Sequence, residues 1–394
     1  MDFNYTPEEE NFRAGLRQWL AVNMKELPAW WAHPEVRGPE VDSEEYHKFS
    51  IWWHRKLHAA GYTGITWPVA YGGRGGTMMQ EVIFYEEIAR HRAPGLSNVH
   101  GIGWCGPAIL RFGTEEQKKR FLPRILSCEE IWCTFYSEPE AGSDMATVQA
   151  RAVEDGDCFV VNGQKVWNSH AHLADWAVLL VRTDPTAPKH RGLSYMLVDM
   201  LTPGITVRPL RNITGTAEFN ETFFDNVRIP KHQVIGEKNM GWYVAAGALE
   251  FERSSLGGAI ARENTLRDLI HVVKQMGKNN DHLVRDRIAR LHIETQVAKY
   301  LGFRTLTRQL KEGRPGPEGS IGSLFGVELN QRIQDFAMQV QGPYSRLMRG
   351  SPQAIEQGRW QYSFLRSRGA SIETGTTEIK RNVIAQRVLG LPRE

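Results

Sequence analysis

The chain has 394 residues, which is enough for two or three domains packed together. Its net charge of +3 is too small to favour binding to nucleic acid or to an anionic membrane. No apolar run approaches the roughly 18 residues that span a bilayer, and the acidic start "MDFNYTPEEE" resembles neither a signal nor a transit peptide. The four cysteines show no CxxC spacing, so we expect reduced thiols in a cytoplasmic globular protein.

The first 130 residues have the apolar period of helices. Thr6 is a candidate N-cap, Pro7 stands at the first helical position, and three glutamates follow in the first turn. Similar helical patterns recur in "EEYHKFSIWWHRKLHAAGY", "MMQEVIFYEEIARH" and "TEEQKKRFLPRILS". We therefore predict an N-terminal α-helical domain over residues 1–130.

Around residue 131 the period becomes that of strands. The run "CFVVNGQKVW" predicts two short strands joined at Asn162–Gly163, because Asn-Gly is the strongest short hairpin signal. Further short apolar runs follow between turn residues, in "ADWAVLLVRT", "GLSYMLVDM", "GITVRPL" and "EFNETFFDNVRIP". These runs predict a middle β domain, a barrel or sandwich, over residues 131–240.

From Gly241 the helical period returns. Long stretches cover roughly 241–274, 281–312 and 320–341, and a last helix is expected near Thr376. Long helices with short loops are typical of a four-helix bundle, which we place over residues 241–394. The predicted class is α+β, with helical, β and helical regions in that order.

Several site classes find no support in the sequence. There is no Walker A loop, no GxGxxG opening a βαβ unit and no GxSxG serine. His170 and His172 have a His-x-His spacing but no acidic or cysteine partner nearby, so no metal site is expected.

Two segments have the residues of a polar ligand site. In "YSEPEAGSDMATVQARA", a tight turn around Gly142 places Ser137 and Ser143 where hydroxyls and backbone N–H groups can face a ligand. In "VNGQKVWNSHAHLADW", Trp167 ends a strand and Ser169 follows two residues later. That pair suits the edge of a planar ring, and the alternative is a tryptophan of the β-domain core.

Together, these segments, the helical–β–helical order and the C-terminal "GTTEIKRNVIAQRVLGLPR" resemble the acyl-CoA dehydrogenase family over nearly the whole chain. The closest resemblance is to bacterial members that act on dicarboxylyl or steroid side-chain acyl groups. The resemblance implies α,β-dehydrogenation of an acyl-CoA thioester, with a carboxylate base taking the α-proton and the β-hydrogen leaving as hydride to flavin N5. It also implies electron-transfer flavoprotein as the electron acceptor.

The same resemblance implies FAD, held with its ring between the β domain and the C-terminal bundle. The implied contacts are Tyr136, Ser137, Trp167 and Ser169 at the flavin ring, Gly142 and Ser143 along the FAD and pantetheine path, Thr376 and Glu378 at the adenosine, and Gln339 and Gly342 at the pyrophosphate of a neighbouring subunit. Ser143 and Arg253 are the implied substrate contacts.

Three positions depart from the family pattern. Lys278 stands where an arginine is common, Asp281 replaces an aromatic residue, and Pro343 follows Gly342 where a second glycine is common. Lysine offers a point charge where arginine grips phosphate with two bonds. A homotetramer and an α2β2 heterotetramer therefore both stay open.

Two glutamates are candidates for the base. Most family members carry it immediately before "GT", where this chain has Thr374, so Glu373 is one residue early. Members with wider pockets carry it on the first bundle helix, where this chain reads Glu252–Arg253. A slip of one residue in an extended stretch turns the side chain away, so Glu252 is favoured and Glu373 is the alternative. A wide pocket suits a bulky or branched acyl group.

Two rival functions belong to the same fold. A flavin oxidase or monooxygenase would react with oxygen, and monooxygenases of this fold lack the base. A non-catalytic subunit would complete the FAD site of a partner chain. The candidate base and the residues Ser137, Trp167 and Ser169 argue against the non-catalytic subunit.

Overall fold

The computed structural model describes residues 4–32, 41–249, 256–313 and 316–392. Contacts divide these residues into two compact units. The helical unit contains the described residues of 1–39, 78–94 and 253–394, and the sheet unit contains those of 40–77 and 95–252. The three predicted domain limits stay a prediction, since each unit combines separate segments of the chain.

The helices of the described residues agree with the helical–β–helical order of the sequence. In chain order they are α1 (Pro7–Asn23), α2 (Glu44–Ala59), α3 (Met78–His91), α4 (Gly106–Phe112), α5 (Glu115–Ser127), α6 (Gly241–Leu249), α7 (Leu256–Gln275), α8 (His282–Glu312), α9 (Gly319–Gln341), α10 (Arg359–Ala370) and α11 (Thr377–Val383). Thr6 caps α1 as predicted, with Glu9 closing a capping box. Helix α10 was not predicted.

The sheet unit contains a mixed seven-stranded sheet. Its strands are β1 (Trp132–Phe135), β2 (Arg151–Asp155), β3 (Cys158–Val166), β4 (Trp176–Arg182), β5 (Leu193–Asp199), β6 (Ile205–Leu210) and β7 (Phe219–Pro230). Strand β4 pairs parallel with β1 and β2 and antiparallel with β5. The remaining pairs, β2–β3, β3–β7 and β6–β7, are antiparallel. The predicted β module is confirmed.

The predicted hairpin at Asn162–Gly163 is wrong. Strand β3 runs unbroken through both residues, with a register irregularity between Val161 and Gly163 opposite β7. The chain turns instead at Gly156, which has φ +57° and separates β2 from β3. Gly163 is needed for a close approach rather than a turn, because a Cβ there would lie 2.6 Å from the Cβ of Ala150.

Strand β4 explains why the β region buries so much apolar surface. Val178 and Leu180 lie in one hydrophobic cluster with residues of α5 and α6, and Leu179 and Val181 lie in a second cluster with residues of β3 and β7. A strand covered on both faces reads as a continuous apolar run, which "WAVLLV" does.

The helical unit has its own core, formed by α7, α8, α9 and α10. Its buried side chains include Leu269, Leu291, Leu329, Ile333 and Trp360. The predicted four-helix bundle is confirmed, with the unpredicted α10 as the fourth helix of this core. The predicted helical stretch 241–274 includes residues 250–255, which lie outside the described residues.

A buried carboxylate joins α1 to α3 inside the helical unit. The Glu87 side chain is fully buried and accepts hydrogen bonds from Arg13 Nε at 2.8 Å and from Arg17 Nε at 2.8 Å. Burial alone would raise the pKa of Glu87, but hydrogen bonds and charge from Arg17 and Arg13 hold that pKa below its usual 4.5.

We expect Glu87→Gln to lower the free energy of unfolding at pH 7 by about 2 kcal/mol, the usual worth of a hydrogen bond to a charged group. A carboxyl with a depressed folded pKa stabilises the fold above its unfolded pKa and loses that contribution as pH falls through the folded pKa. Denaturant titrations should therefore show the wild type and the variant converging below the usual pKa of 4.5. Glu44→Gln is the matched control, because Glu44 pairs with Lys48 at the surface and should change nothing measurable. A difference that grows on acidification would contradict this assignment.

Candidate functional site

The two segments singled out by the sequence lie side by side in the sheet unit. The Val166 N–H, at the end of β3, donates to the Ser137 carbonyl at 2.9 Å. One residue earlier, Lys165 Nζ donates to the Tyr136 carbonyl at 3.0 Å. These bonds bring the turn after β1 next to the residues that follow β3, so Ser137 and the Trp167–Ser169 segment belong to one surface.

Trp167 faces out of this surface. Its side chain is 60% exposed, and it contacts Phe219 edge-to-face with ring centroids 5.9 Å apart. Its backbone has φ +62°, a region that bulky residues rarely occupy. The alternative of a core tryptophan is therefore wrong.

The next residue, Asn168, anchors the strained backbone. Asn168 is buried; its N–H donates to the Asn220 carbonyl at 3.0 Å, and Asn220 Nδ2 donates to the Asn168 carbonyl at 2.8 Å. The reciprocal pair fixes the residue between Trp167 and Ser169. An exposed aromatic ring kept in a strained conformation is a common mark of a ligand site.

Three serine hydroxyls of the two segments are open to a ligand. Ser137 and Ser169 are half-buried and Ser143 is exposed, and within the described residues none of these hydroxyls has a hydrogen-bond partner. Beside Ser143, Gly142 has no atom within 4 Å of where a Cβ would stand. The surface thus offers an aromatic plane with unused hydroxyls near it.

Tyr136 is placed differently from its neighbours. Its hydroxyl lies 2.5 Å from that of Tyr195, and the two rings are stacked with centroids 6.0 Å apart. Burial raises the pKa of Tyr195 well above its usual range. The Tyr136 side chain is thus tied into the sheet unit at its hydroxyl.

The structure adds an ion pair that the sequence reasoning missed. Lys165 is fully buried, and its Nζ lies 2.7 Å from Oε1 of Glu138. The alternating pattern of β3 predicts that Lys165 is buried, because Phe159, Val161 and Lys165 occupy alternate, inward-facing positions. A lysine at such a position requires a buried acid nearby.

In the helical unit, the remaining predicted FAD contacts form two groups. Thr376 caps α11 by accepting from the Ile379 N–H at 3.1 Å, and Glu378 is exposed in the first turn of that helix. Arg381 of α11 donates to Glu328 at 2.5 Å, which places α11 beside the first half of α9.

The second group, Gln339 and Gly342, lies at the other end of α9. Gln339 is exposed in its last turn and Gly342 is its C-cap. Eleven residues separate Glu328 from Gln339, which is about 16 Å along a helix. One chain therefore does not bring Gln339 and Gly342 together with Thr376 and Glu378.

Two of the departures from the family pattern have structural roles. Lys278 Nζ donates to the Val340 carbonyl at 2.6 Å, near the end of α9. Asp281 caps α8 by accepting from the N–H groups of Leu283 and Val284. Lys278 thus satisfies a helix-end carbonyl, a role that a lysine can fill.

The favoured base and its neighbour, Glu252 and Arg253, lie outside the described residues. The alternative base, Glu373, lies in the irregular turn before α11, as predicted. Both of its carboxylate oxygens accept from Arg366, at 3.1 Å and 3.0 Å. Thr374 follows with φ +52° and Gly375 with φ +87°.

Comparison with known proteins identifies the family. Family models for the N-terminal, middle and C-terminal domains of acyl-CoA dehydrogenases match residues 6–129, 133–227 and 239–389. The chain belongs to the acyl-CoA dehydrogenase family. It is therefore an FAD-dependent oxidoreductase acting on a CH–CH group.

Individual relatives extend over the whole chain. The chain is 41% identical to acyl-CoA dehydrogenase IpdE1 of Mycobacterium tuberculosis, over 98% of each protein. It is similar to the solved ChsE4-ChsE5 complex of Mycobacterium tuberculosis, with a TM-score of 0.85, 31% identity and complete coverage of both chains. It is also similar to the Tcur3481-Tcur3483 steroid ACAD, with a TM-score of 0.85, 30% identity and complete coverage.

The surface around Trp167 fits the flavin of this acyl-CoA dehydrogenase. A planar ring with a polar edge matches an exposed aromatic plane flanked by the unused hydroxyls of Ser137 and Ser169.

Among the described residues there is no cluster of His, Cys, Asp or Glu that could hold a metal ion. The same residues include no helix with the length and apolar composition of a bilayer span.

Proposed function

We propose that this acyl-CoA dehydrogenase converts a bulky or branched acyl-CoA to its trans-2-enoyl-CoA, with Glu252 taking the α-proton. The observation that carries the proposal is the exposed, strained Trp167 with the unused hydroxyls of Ser137 and Ser169 beside it. No hydrogen bond within the described residues uses the two hydroxyls, which is expected of groups kept for a ligand.

Each residue of the sheet-unit surface has a definite task in this proposal. Trp167 packs against the flavin ring, and Ser137 and Ser169 donate hydrogen bonds to its polar edge. Gly142 leaves room for the chain of the cofactor and the pantetheine, and the exposed Ser143 contacts the latter. FAD, when bound, accepts the β-hydrogen as hydride.

Thr376 and Glu378 would contact the adenosine part of an FAD. Gln339 and Gly342 would serve the FAD of a neighbouring subunit, because Gln339 lies about 16 Å along α9 from Glu328, the residue that Arg381 of α11 contacts. A site completed by two chains requires an oligomer, and the ChsE4-ChsE5 relative is a complex of two named components. Electron-transfer flavoprotein is the proposed electron acceptor, in the cytoplasm.

The base assignment rests on the sequence and on what the structure shows of its competitor. The carboxylate of Glu373 is held by two hydrogen bonds from the Arg366 guanidinium. Both of its oxygens therefore already have a partner within the same chain. That leaves Glu252, beside Arg253, as the proposed base, and Arg253 as a substrate contact.

The bulky substrate follows from Thr374 and from the relatives. If the base is Glu252, the small side chain of Thr374 stands where most members carry their base, which leaves space beside the substrate α-carbon. The similarity to a solved steroid ACAD supports a polycyclic or branched acyl group.

The proposal is tested by the absorption spectrum of the purified protein and by an anaerobic titration with an acyl-CoA panel. We expect non-covalent FAD and bleaching of its visible band by α-methyl-branched or polycyclic acyl-CoAs. A protein that carries no FAD under any condition, alone or with a partner chain, would overturn the proposal.

The assembly gives a separate expected result. We expect sedimentation to show a dimer of dimers, either of this chain alone or with a second gene product in half of the positions. An FAD-loaded, active monomer would contradict the shared site, because Gln339 and Gly342 would then have no neighbouring cofactor to contact.

A further inference from the structure

The buried pair Lys165–Glu138 joins three segments that surround the Trp167 surface. Lys165 is on β3, two residues before Trp167, and Glu138 lies one residue after Ser137 in the turn that follows β1. The third segment is the entry to β2, where the N–H groups of Gln149 and Ala150 donate to the Glu138 carboxylate at 2.5 Å and 3.0 Å.

The pair also controls backbone positions. Besides Glu138, Lys165 Nζ binds the Tyr136 carbonyl at 3.0 Å, and the next residue of β3, Val166, donates to the Ser137 carbonyl. Lys165 therefore touches the turn on one side of Ser137 through a carbonyl and on the other side through a carboxylate. These bonds hold the backbone on both sides of Ser137 against the end of β3.

A fully buried ion pair is a poor way to gain stability. Removing two charges from water costs several kcal/mol, so apolar residues of similar volume often stabilise a fold as well or better. Burial lowers the pKa of Lys165 to about 8, and the charge of Glu138 opposes that shift. The cation is therefore kept at neutral pH at an energetic cost, which calls for a reason other than stability.

We propose that Lys165 and Glu138 are positioning residues, which fix the turn at Ser137 against the segment Trp167–Ser169 so that both hydroxyls meet the edge of one flavin. This inference rests on the proposed function, since the hydroxyls are assigned to the flavin there. Neither residue needs to touch the cofactor.

The test compares stability with FAD affinity in the full-length protein. Lys165→Met removes the cation and leaves Glu138 buried without a counter-charge, so the variant should lose both stability and FAD affinity. The double variant Glu138→Gln/Lys165→Met has no buried charge. It should regain most of the thermal stability of the wild type while its dissociation constant for FAD stays at least tenfold higher, because the two segments are no longer held in register.

The matched control is Glu154→Gln/Lys231→Met. Glu154 and Lys231 form an ion pair in the same unit, but both side chains are about two-fifths exposed. The control should bind FAD as the wild type does. A double variant Glu138→Gln/Lys165→Met with wild-type FAD affinity would overturn the inference, as would an equal loss of affinity in the control.

A second readout separates this inference from the proposed function. Hydrogen–deuterium exchange of the FAD-free protein should be faster in peptides covering 136–150 and 163–170 of the double variant than in the wild type, and unchanged in the control. If the wild type binds no FAD but these peptides behave as expected, the proposed function fails and the structural role of the pair stands. If exchange in these peptides is unchanged, the positioning role is wrong.

Discussion

Glu252→Gln is expected to slow the anaerobic bleaching of the flavin by substrate by a factor of about 10² to 10⁴, the usual worth of a positioned general base. Glutamine keeps the size and hydrogen-bonding shape of glutamate but cannot accept a proton. FAD and acyl-CoA binding should stay close to the wild type. Stopped-flow absorbance under anaerobic conditions measures the rate directly.

Glu373→Gln is the matched control for this variant. Because both oxygens of Glu373 are hydrogen-bonded to Arg366, its replacement should leave the bleaching rate close to that of the wild type. The change removes one charge of a partly exposed ion pair, so only a small loss of stability is expected. If Glu373→Gln is the inactive variant and Glu252→Gln the active one, the base assignment is wrong.

The second large effect concerns Thr374 and the choice of substrate. In the wild type, α-methyl-branched or polycyclic acyl-CoAs should have a higher kcat/KM than straight chains of similar size. Thr374→Phe fills the proposed space beside the α-carbon. It should lower kcat/KM for the branched substrate by about 10- to 100-fold, the usual worth of one or two methyl groups in an apolar pocket, and have a much smaller effect on the straight chain.

Thr374→Ser controls for the loss of the threonine itself. It keeps a small hydroxyl side chain and relieves the β-branched residue at φ +52°, so its substrate preference should match the wild type. Equal losses on branched and straight substrates in Thr374→Phe would show that Thr374 does not border the acyl group, and the bulky-substrate proposal would lose its structural support.

Local patterns predicted much of the fold. The helical period gave the long helices α8 and α9 nearly to their ends, and the start of the last helix near Thr376 was found. Thr6 was readable as a cap because an N-cap depends on residues three positions away. The strands β4 to β7 were found because each is a short apolar or alternating run between turn residues.

The errors came from contacts between distant residues. Asn162–Gly163 carries a strong hairpin signal, but Gly163 is required by the approach of Ala150, which no local pattern shows. The true turn at Gly156 has a similar signal, Asp-Gly, so two candidates were close together in the chain.

The candidate site was predictable in composition but not in arrangement. Ser137, Trp167 and Ser169 were found from their segments, whereas the pair Lys165–Glu138 joins residues 27 positions apart and depends on the pairing of three segments. Likewise, the sequence could not show that Gln339 and Gly342 lie apart from Thr376 and Glu378. That separation follows from the packing of α11 on α9.

The central claim is that this chain dehydrogenates an acyl-CoA without oxygen. A single-turnover experiment tests it most directly: the FAD-loaded protein is mixed anaerobically with an α-methyl-branched acyl-CoA, and both the reduced flavin and the acyl-CoA products are quantified. We expect one trans-2-enoyl-CoA to form for each FAD reduced. Flavin that stays oxidised with every acyl-CoA tested, or product that forms only when oxygen is admitted, would contradict it.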